Sequence, residues 1–512
     1  MIVKVLLLVL FFAVMVGIGF YSRKHATNVD GFVLGGRSVG PWLTAFAYGT
    51  SYFSAVVFVG YAGQFGYKYG ISATWIGIGN ALIGSLLAWI VLGRRTRIMS
   101  KHLKAKTMPD YFGKRFDSNA LRVTAAVISF VFLIPYTASV YNGLSRLFEM
   151  AFDVPYTVCV VVMAALTCVY VILGGYMAAA INDFVQGIVM LVGIVAVIAS
   201  VLNGQGGFMQ AVFKLSEIPS DIPTSMGQQG AFASFFGPDP LNLLGVVILT
   251  SLGTWGLPQM VSKFYAIRDE KAVKTGTVIS TLFAIVVSGG CYFLGGFARL
   301  FDSDAIRNAQ GGIVYDAIIP TMLNSLSDIL IGIVIILVLS ASMSTLSSLV
   351  LTSSSTLTLD FLKGNIIKKM DEKQQLLVMR IFLVFFVVIS VVIALDPPTF
   401  IAQLMGISWG ALAGAFLAPF MYGLYWKGVT KSAVWASFIC GVGITVSNMF
   451  FHFIASPINA GAIAMVAGLI VVPVVSLITP KLSKEKVSEI FECYEEKVTV
   501  EQKLVLTDEK EK

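Results

Sequence analysis

The sequence predicts an all-α polytopic membrane protein with about 13 transmembrane helices, and three observations carry that expectation. The 512 residues are 57% hydrophobic and 12% charged, where a soluble domain has about 25% charged residues. Apolar runs near the roughly 20 residues that cross about 30 Å of hydrocarbon recur along the whole chain. Lys and Arg gather in every second loop between those runs, as they do on the cytoplasmic side of a membrane.

Taken in order, the runs lie at 3–21, 40–66, 72–93, 121–148, 155–175, 178–201, 240–260, 275–299, 327–352, 375–395, 399–425, 432–453 and 460–479. The first resembles a secretory signal, but it is long and is followed by Arg23 and Lys24, so it reads as a retained span with its N-terminus outside. The basic loops hold Arg23 and Lys24, then Arg94, Arg95, Arg97, Lys101, Lys104, Lys106, Lys114 and Arg115, then Lys263, Arg268, Lys271 and Lys274, then Lys363, Lys368, Lys369 and Lys373, then Lys427 and Lys431. The alternate loops hold little beyond Lys68, Lys214 and Arg307. An odd number of spans with a cytoplasmic C-terminus follows. The net charge of +8 is thereby a topology signal and not a nucleic-acid surface.

The longest polar insert, 202–239, reads as an extracellular loop that carries a short helix. Residues 1–480 form one transporter domain, and 481–512 a cytoplasmic tail of mixed Lys and Glu. Cys159, Cys168, Cys291 and Cys440 sit in apolar runs and Cys493 in the tail, with no metal-ligand spacing.

Two spans are interrupted by small polar residues. Span two holds Gly49, Thr50, Ser51, Tyr52 and Ser54, and span seven holds Thr250, Ser251, Gly253, Thr254, Gly256 and Pro258. Their separation by five spans fits a five-plus-five inverted repeat, about 38–201 and 240–425, with broken helices at the binding site. The plainer reading is that Gly, Ser and Thr let helices pack closely.

Span nine contains Ser340, Ser342, Ser344, Thr345, Ser347 and Ser348. Ala341 precedes Ser344 by three residues and Thr345 by four, so its carbonyl and both hydroxyls share a helix face. Such oxygens suit a hard cation, though hydroxyls also bond back to their own helix. Asp183, between Asn182 and Gln186, lies near the cytoplasmic start of span six. A carboxylate inside a span is costly and usually functional or paired; at the membrane edge it is neither. The aromatics Tyr52, Phe53, Tyr136, Tyr141 and Trp255 lie in the spans around the breaks, where packing explains them as readily as a solute does. His25, His102 and His452 are scattered, and no nucleotide-binding loop or hydrolase motif occurs. An ion gradient, rather than ATP, is left as the driving force.

The stretches "GFVLGGRSVGPWLTAFAYGTSYFSA" from Gly31, "TMPDYFGKRF" from Thr107, "LGGYMAAAINDFVQ" from Leu173, "GLPQMVSKFYA" from Gly256 and "SASMSTLSSLVLTSSS" from Ser340 together resemble the sodium/solute symporter family, which includes the sodium/proline and sodium/pantothenate symporters and the sodium/glucose cotransporters. The resemblance extends to about residue 480. It implies a thirteen-helix protein with a core of the leucine-transporter type, alternating access, and Na+ as coupling ion. It further implies sodium ligands at the carbonyls of Thr50, Phe53 and Ala341 and the hydroxyls of Ser344 and Thr345, and a sodium exit route at Asp183. The solute would be met by Tyr52, Ser54, Tyr136, Thr250, Thr254 and Pro258.

The sequence also departs from the pattern. The proline members carry an acidic residue at the position of Tyr52 and aromatics at those of Thr250 and Thr254, while "SYFSAVVF" and "GLP" look more like the pantothenate members. The expected function is sodium-coupled uptake of a small organic solute, carboxylate-bearing like proline or pantothenate, in a cell membrane. A sensor is disfavoured because a tail of about 30 residues is too short for a signalling domain of the usual 50 to 250. A channel would show a continuous polar stripe or a charged ring.

Overall fold

A computed structural model of the protein describes residues 2–494 apart from 153, 223–228, 325, 364 and 368. Among the described residues all regular structure is helical. Ten helical stretches are long and apolar enough to cross a membrane, or eleven if one bent pair is counted as a span.

Helix α1 (Ile2–Ser22) exposes Leu6, Val9 and Leu10 and buries Phe11 and Met15, as a helix at the lipid boundary of a bundle does. Helix α2 (Pro41–Tyr52) begins with proline in its first turn, where the missing N–H breaks no intrahelical bond. It stops in mid-chain, because Phe53 is extended at φ −95°, ψ 120°. The chain resumes through a wide π-type turn, Val56–Tyr61, into α3 (Ala62–Tyr69). Gly70 then adopts φ +63°, and a Cβ there would lie 2.1 Å from the Phe232 carbonyl oxygen; only glycine allows the chain to double back so closely. Beyond it α4 (Thr74–Gly79) leads on helically to His102.

Helix α5 (Asn119–Phe152) is followed by α6 (Tyr156–Gly204), which runs 49 residues. At 1.5 Å per residue a straight helix of that length would be about 74 Å long, more than twice the hydrocarbon thickness. It is interrupted at Gly175, whose φ 54°, ψ −145° is not helical, at the boundary that the sequence places between spans five and six. In the polar insert the expected short helix is present at Phe208–Glu217.

Helices α7 (Pro240–Gly256) and α8 (Pro258–Ala266) are bent by 45° about extended Leu257. The remainder are α9 (Glu270–Ala284), α10 (Asp328–Thr356), α11 (Glu372–Leu395), α12 (Ile401–Tyr425), α13 (Lys431–Phe451) and α14 (Pro457–Ile478). Helix α10 packs against α2, α5, α6 and α8, and its hydroxyls at 340, 342, 344, 345 and 347 are all fully buried. Helix α12 is buried around its whole circumference over most of its length, whereas α11 and α13 present Ile381, Phe385, Val392 and Ile439 outward. A short helix α15 (Lys484–Phe491) folds back on the basic face, where the Arg115 guanidinium stands 4.9 Å over the Phe491 ring. The tail beyond 494 lies outside the described residues.

Candidate functional site

The break after α2 and the hydroxyl-rich middle of α10 meet. Thr345 Oγ1 lies 3.0 Å from the Ala341 carbonyl oxygen, 3.3 Å from those of Thr50 and Phe53 and 3.4 Å from that of Ser51. Ser344 Oγ is 3.0 Å from the Ala341 oxygen and 3.1 Å from that of Thr50. Thr50, Phe53, Ala341, Ser344 and Thr345 are thus brought together and buried. Two hydroxyls carry two hydrogens, and four carbonyl oxygens converge on them. Lone pairs are in excess, the condition under which a small cation is stabilised without any neighbouring net charge. Calcium, also a hard cation, takes oxygens at roughly 2.3–2.6 Å, which spaces adjacent oxygens of an octahedron about 3.3–3.7 Å apart. The spacing here is slightly tighter.

The other side of the same break carries aromatic and polar side chains. Tyr52 donates its hydroxyl to the Thr250 carbonyl at 3.1 Å, and Ser54 Oγ accepts from the Val56 amide at 3.2 Å, capping the resumed helix. Tyr52 and Tyr136 both pack on Trp409 of α12, with ring centroids 5.9 and 5.8 Å apart. The Trp409 Nε1 and Tyr136 hydroxyl are buried without a geometrically sound hydrogen bond, so each has polar capacity to spare. Trp409 was not singled out from the sequence, because "GISWGALAG" carries no polar break and its aromatic is one among many.

The six expected solute residues do not all gather there. Tyr52, Ser54, Tyr136 and Thr250 surround or adjoin the Trp409 cluster. Thr254 instead donates within bonding range of the Gly84 and Ser251 carbonyls at 3.1 and 3.0 Å, on the face of α7 toward the third apolar run. Pro258 borders a cavity of about 20 Å³ together with Tyr176, Lys263 and Ser348. Of the other aromatics, Trp255 donates to the Ile83 carbonyl at 3.0 Å, away from the cluster.

Asp183 is fully buried within the protein. Lys263 Nζ of α8 stands 3.8 Å from its Oδ2 and donates to Ser348 Oγ at 2.9 Å. By sequence Lys263 belongs to a basic loop; in the fold it lies buried on α8.

The profile of the sodium:solute symporter family matches residues 32–441. The chain belongs to that family. Sodium/proline symporters from two Staphylococcus aureus strains, JH9 and JH1, are each 29% identical to this symporter over 94% of its chain and 93% of theirs. In fold it is similar to a substrate-bound, outward-open Na+-coupled sialic acid symporter, at TM-score 0.74 and 15% identity over 94% of this chain and 99% of that one. It is similar also to a nucleobase-cation-symport-1 family transporter, at TM-score 0.55 and 14% identity over 90% and 97%. The symporter is a multi-pass membrane protein that takes up a small solute with sodium as coupling ion, and it is a transporter and not an enzyme.

Proposed function

We propose that this symporter carries a small carboxylate-bearing solute inward, proline being the first candidate, with sodium held by the Thr50, Phe53 and Ala341 carbonyls and the Ser344 and Thr345 hydroxyls. The observation that carries the reading is the division of labour at one helix break. Thr50 and Phe53 present carbonyls to α10, while the intervening Tyr52 and the following Ser54 face the Trp409 and Tyr136 side. A cation that fixes the break also fixes the solute contacts, which is the differential interaction that coupling requires. Tyr52, Tyr136 and Trp409 offer apolar ring faces for a compact ring such as that of proline, and the Tyr136, Ser54 and Thr250 hydroxyls offer polar contacts. Asp183 lies on the route by which sodium leaves. Thr254 and Pro258 act one step removed, through α7 and α8.

The same reading takes the ten stretches, the bent pair, and a division of the two longest stretches at Gly70 and Gly175 as thirteen spans. The five-plus-five repeat then runs over about 38–201 and 240–425 of a transporter domain 1–480, with the N-terminus outside and the tail cytoplasmic. The relatives' name supports proline, while Tyr52, in place of the proline members' acidic residue, requires that the solute's charged groups be met differently. Proteoliposomes challenged with an inward sodium gradient and labelled proline, pantothenate, sugars and short carboxylates separate these cases. Sodium-dependent accumulation of proline, competed by unlabelled proline alone, is expected; accumulation of pantothenate or a sugar with proline inert would contradict the solute assignment.

A further inference from the structure

A chain of polar contacts leads out of the candidate sodium cage toward Asp183. Ser51, next to Thr50, has its Oγ 2.7 Å from Ser348 Oγ, and Ser348 Oγ accepts from Lys263 Nζ at 2.9 Å. The ammonium then stands 3.8 Å from Asp183 Oδ2. That is too long for a charge-assisted bond, which closes to roughly 2.7–2.9 Å. Neither Asp183 oxygen has a hydrogen-bond partner, although the residue is fully buried and Lys263 is 2% exposed. Burying two charges is compensated only when the pair closes and its remaining lone pairs are satisfied. This pair meets neither condition, so stability does not account for it. Beside the ammonium, a cavity of about 20 Å³ bordered by Lys263, Ser348 and Tyr176, and also by Lys106, Thr107 and Thr356, has room for about one water or small ion.

We propose that Lys263 is a tethered cation that exchanges with sodium at Asp183. Sodium leaving the cage displaces the ammonium from the carboxylate, and the ammonium returns when sodium has gone, so that an emptied Asp183 does not hold the ion back. The proposal rests on the sodium reading of the cage given above. It makes Lys263 a positioning residue that acts through Asp183. Because Lys263 sits on α8, five residues beyond Pro258, the exchange also moves the inner half of the broken span.

The two single variants must then act with opposite sign. Lys263→Met removes a positive charge beside the cage, so sodium is held more tightly and released more slowly. If the ammonium-locked arrangement makes up roughly 90% of the sodium-free population, apparent affinity is masked about tenfold, and the variant lowers the half-activating sodium concentration by about that factor while maximal uptake falls. Asp183→Asn leaves the ammonium without its counter-charge and raises the half-activating concentration. The double variant returns toward wild type, and Lys263→Arg, which keeps the charge, stays within about twofold of it. A pair kept only for packing would instead lower thermal stability in both single variants without moving sodium activation in opposite directions.

The measurement is sodium-dependent thermal stabilisation of the purified full chain, with choline replacing sodium, beside sodium activation of uptake. Should Lys263→Met not be recovered folded, Lys263→Gln, which keeps a donor for Ser348, supplies the same readout. Opposite shifts in the two singles and recovery in the double are expected. A wild type with no sodium-dependent stabilisation overturns the sodium reading itself, and the exchange with it. A wild type that responds, with Lys263→Met and Lys263→Gln needing as much sodium or more, overturns the exchange and leaves the cage standing.

Discussion

Asp316 stands in the short turn Tyr315–Ala317, which packs against α5, where Oδ2 accepts from the Ile401 amide at 3.3 Å at the start of α12. Burial pushes its carboxyl up from 3.8 to about 6, against smaller opposing effects of that amide and of Arg146. Because the folded value lies above the unfolded one, the stability this group contributes is full below pH 3.8 and is lost as pH rises through about 6. At about 1.4 kcal/mol per unit the loss at pH 7.5 is about 3 kcal/mol. Asp316→Asn keeps an acceptor for Ile401 and should raise the melting temperature at pH 7.5 but scarcely at pH 4, as read by thermal unfolding at both values. At this scale the oxygen cage was legible, since Ala341, Ser344 and Thr345 meet by the local three- and four-residue spacing of one helix. Lys263 and Trp409 were not, because each acquires its partner across the fold: Lys263 from α6 and α10, Trp409 from α2 and α5.

Among elements, the contact of α7 with α12 depends on side chains that are missing. A Cβ on Gly253 would come within 2.6 Å of the Trp409 ring, and one on Gly256 within 2.7 Å of the Ala413 Cα. The first clash can be relieved only by moving the ring on which Tyr52 and Tyr136 pack. Gly253→Ala is therefore expected to raise the solute concentration for half-maximal uptake by about tenfold or more, the equivalent of about 1.4 kcal/mol, with less effect on sodium activation at saturating solute. Uptake kinetics measured against each ligand separately check this, and an unchanged solute dependence would remove Trp409 from the solute site. Both broken spans could be read from their Gly, Ser and Thr content, because a helix stops where polar and flexible residues interrupt an apolar run. The direction in which each side chain leaves the break could not. Thr254 resembles Thr250 in sequence and type, yet a turn later on α7 it faces Gly84.

For the whole molecule, hydropathy and the alternation of basic loops made the helical membrane fold legible, since continuous apolar runs of about 20 residues suit a spanning helix and not the roughly 10-residue alternating strands of a membrane barrel. Packing order was less accessible: nothing local marks α12 as central and α11 and α13 as lipid-facing, although all three are similarly apolar. The central claim is that the break after α2 and the middle of α10 together hold the coupling sodium. Removing one hydroxyl takes away a ligand to a charge, and a hydrogen bond to a charged group is worth about 1.5–3 kcal/mol, or roughly ten- to a hundredfold in affinity. The most direct test is uptake into proteoliposomes against sodium concentration for Ser344→Ala, Thr345→Ala and Thr345→Ser. The alanine variants should require about ten- to a hundredfold more sodium with solute affinity at saturating sodium little changed, and Thr345→Ser should be mild; both alanine variants activating at the wild-type sodium concentration would contradict the account.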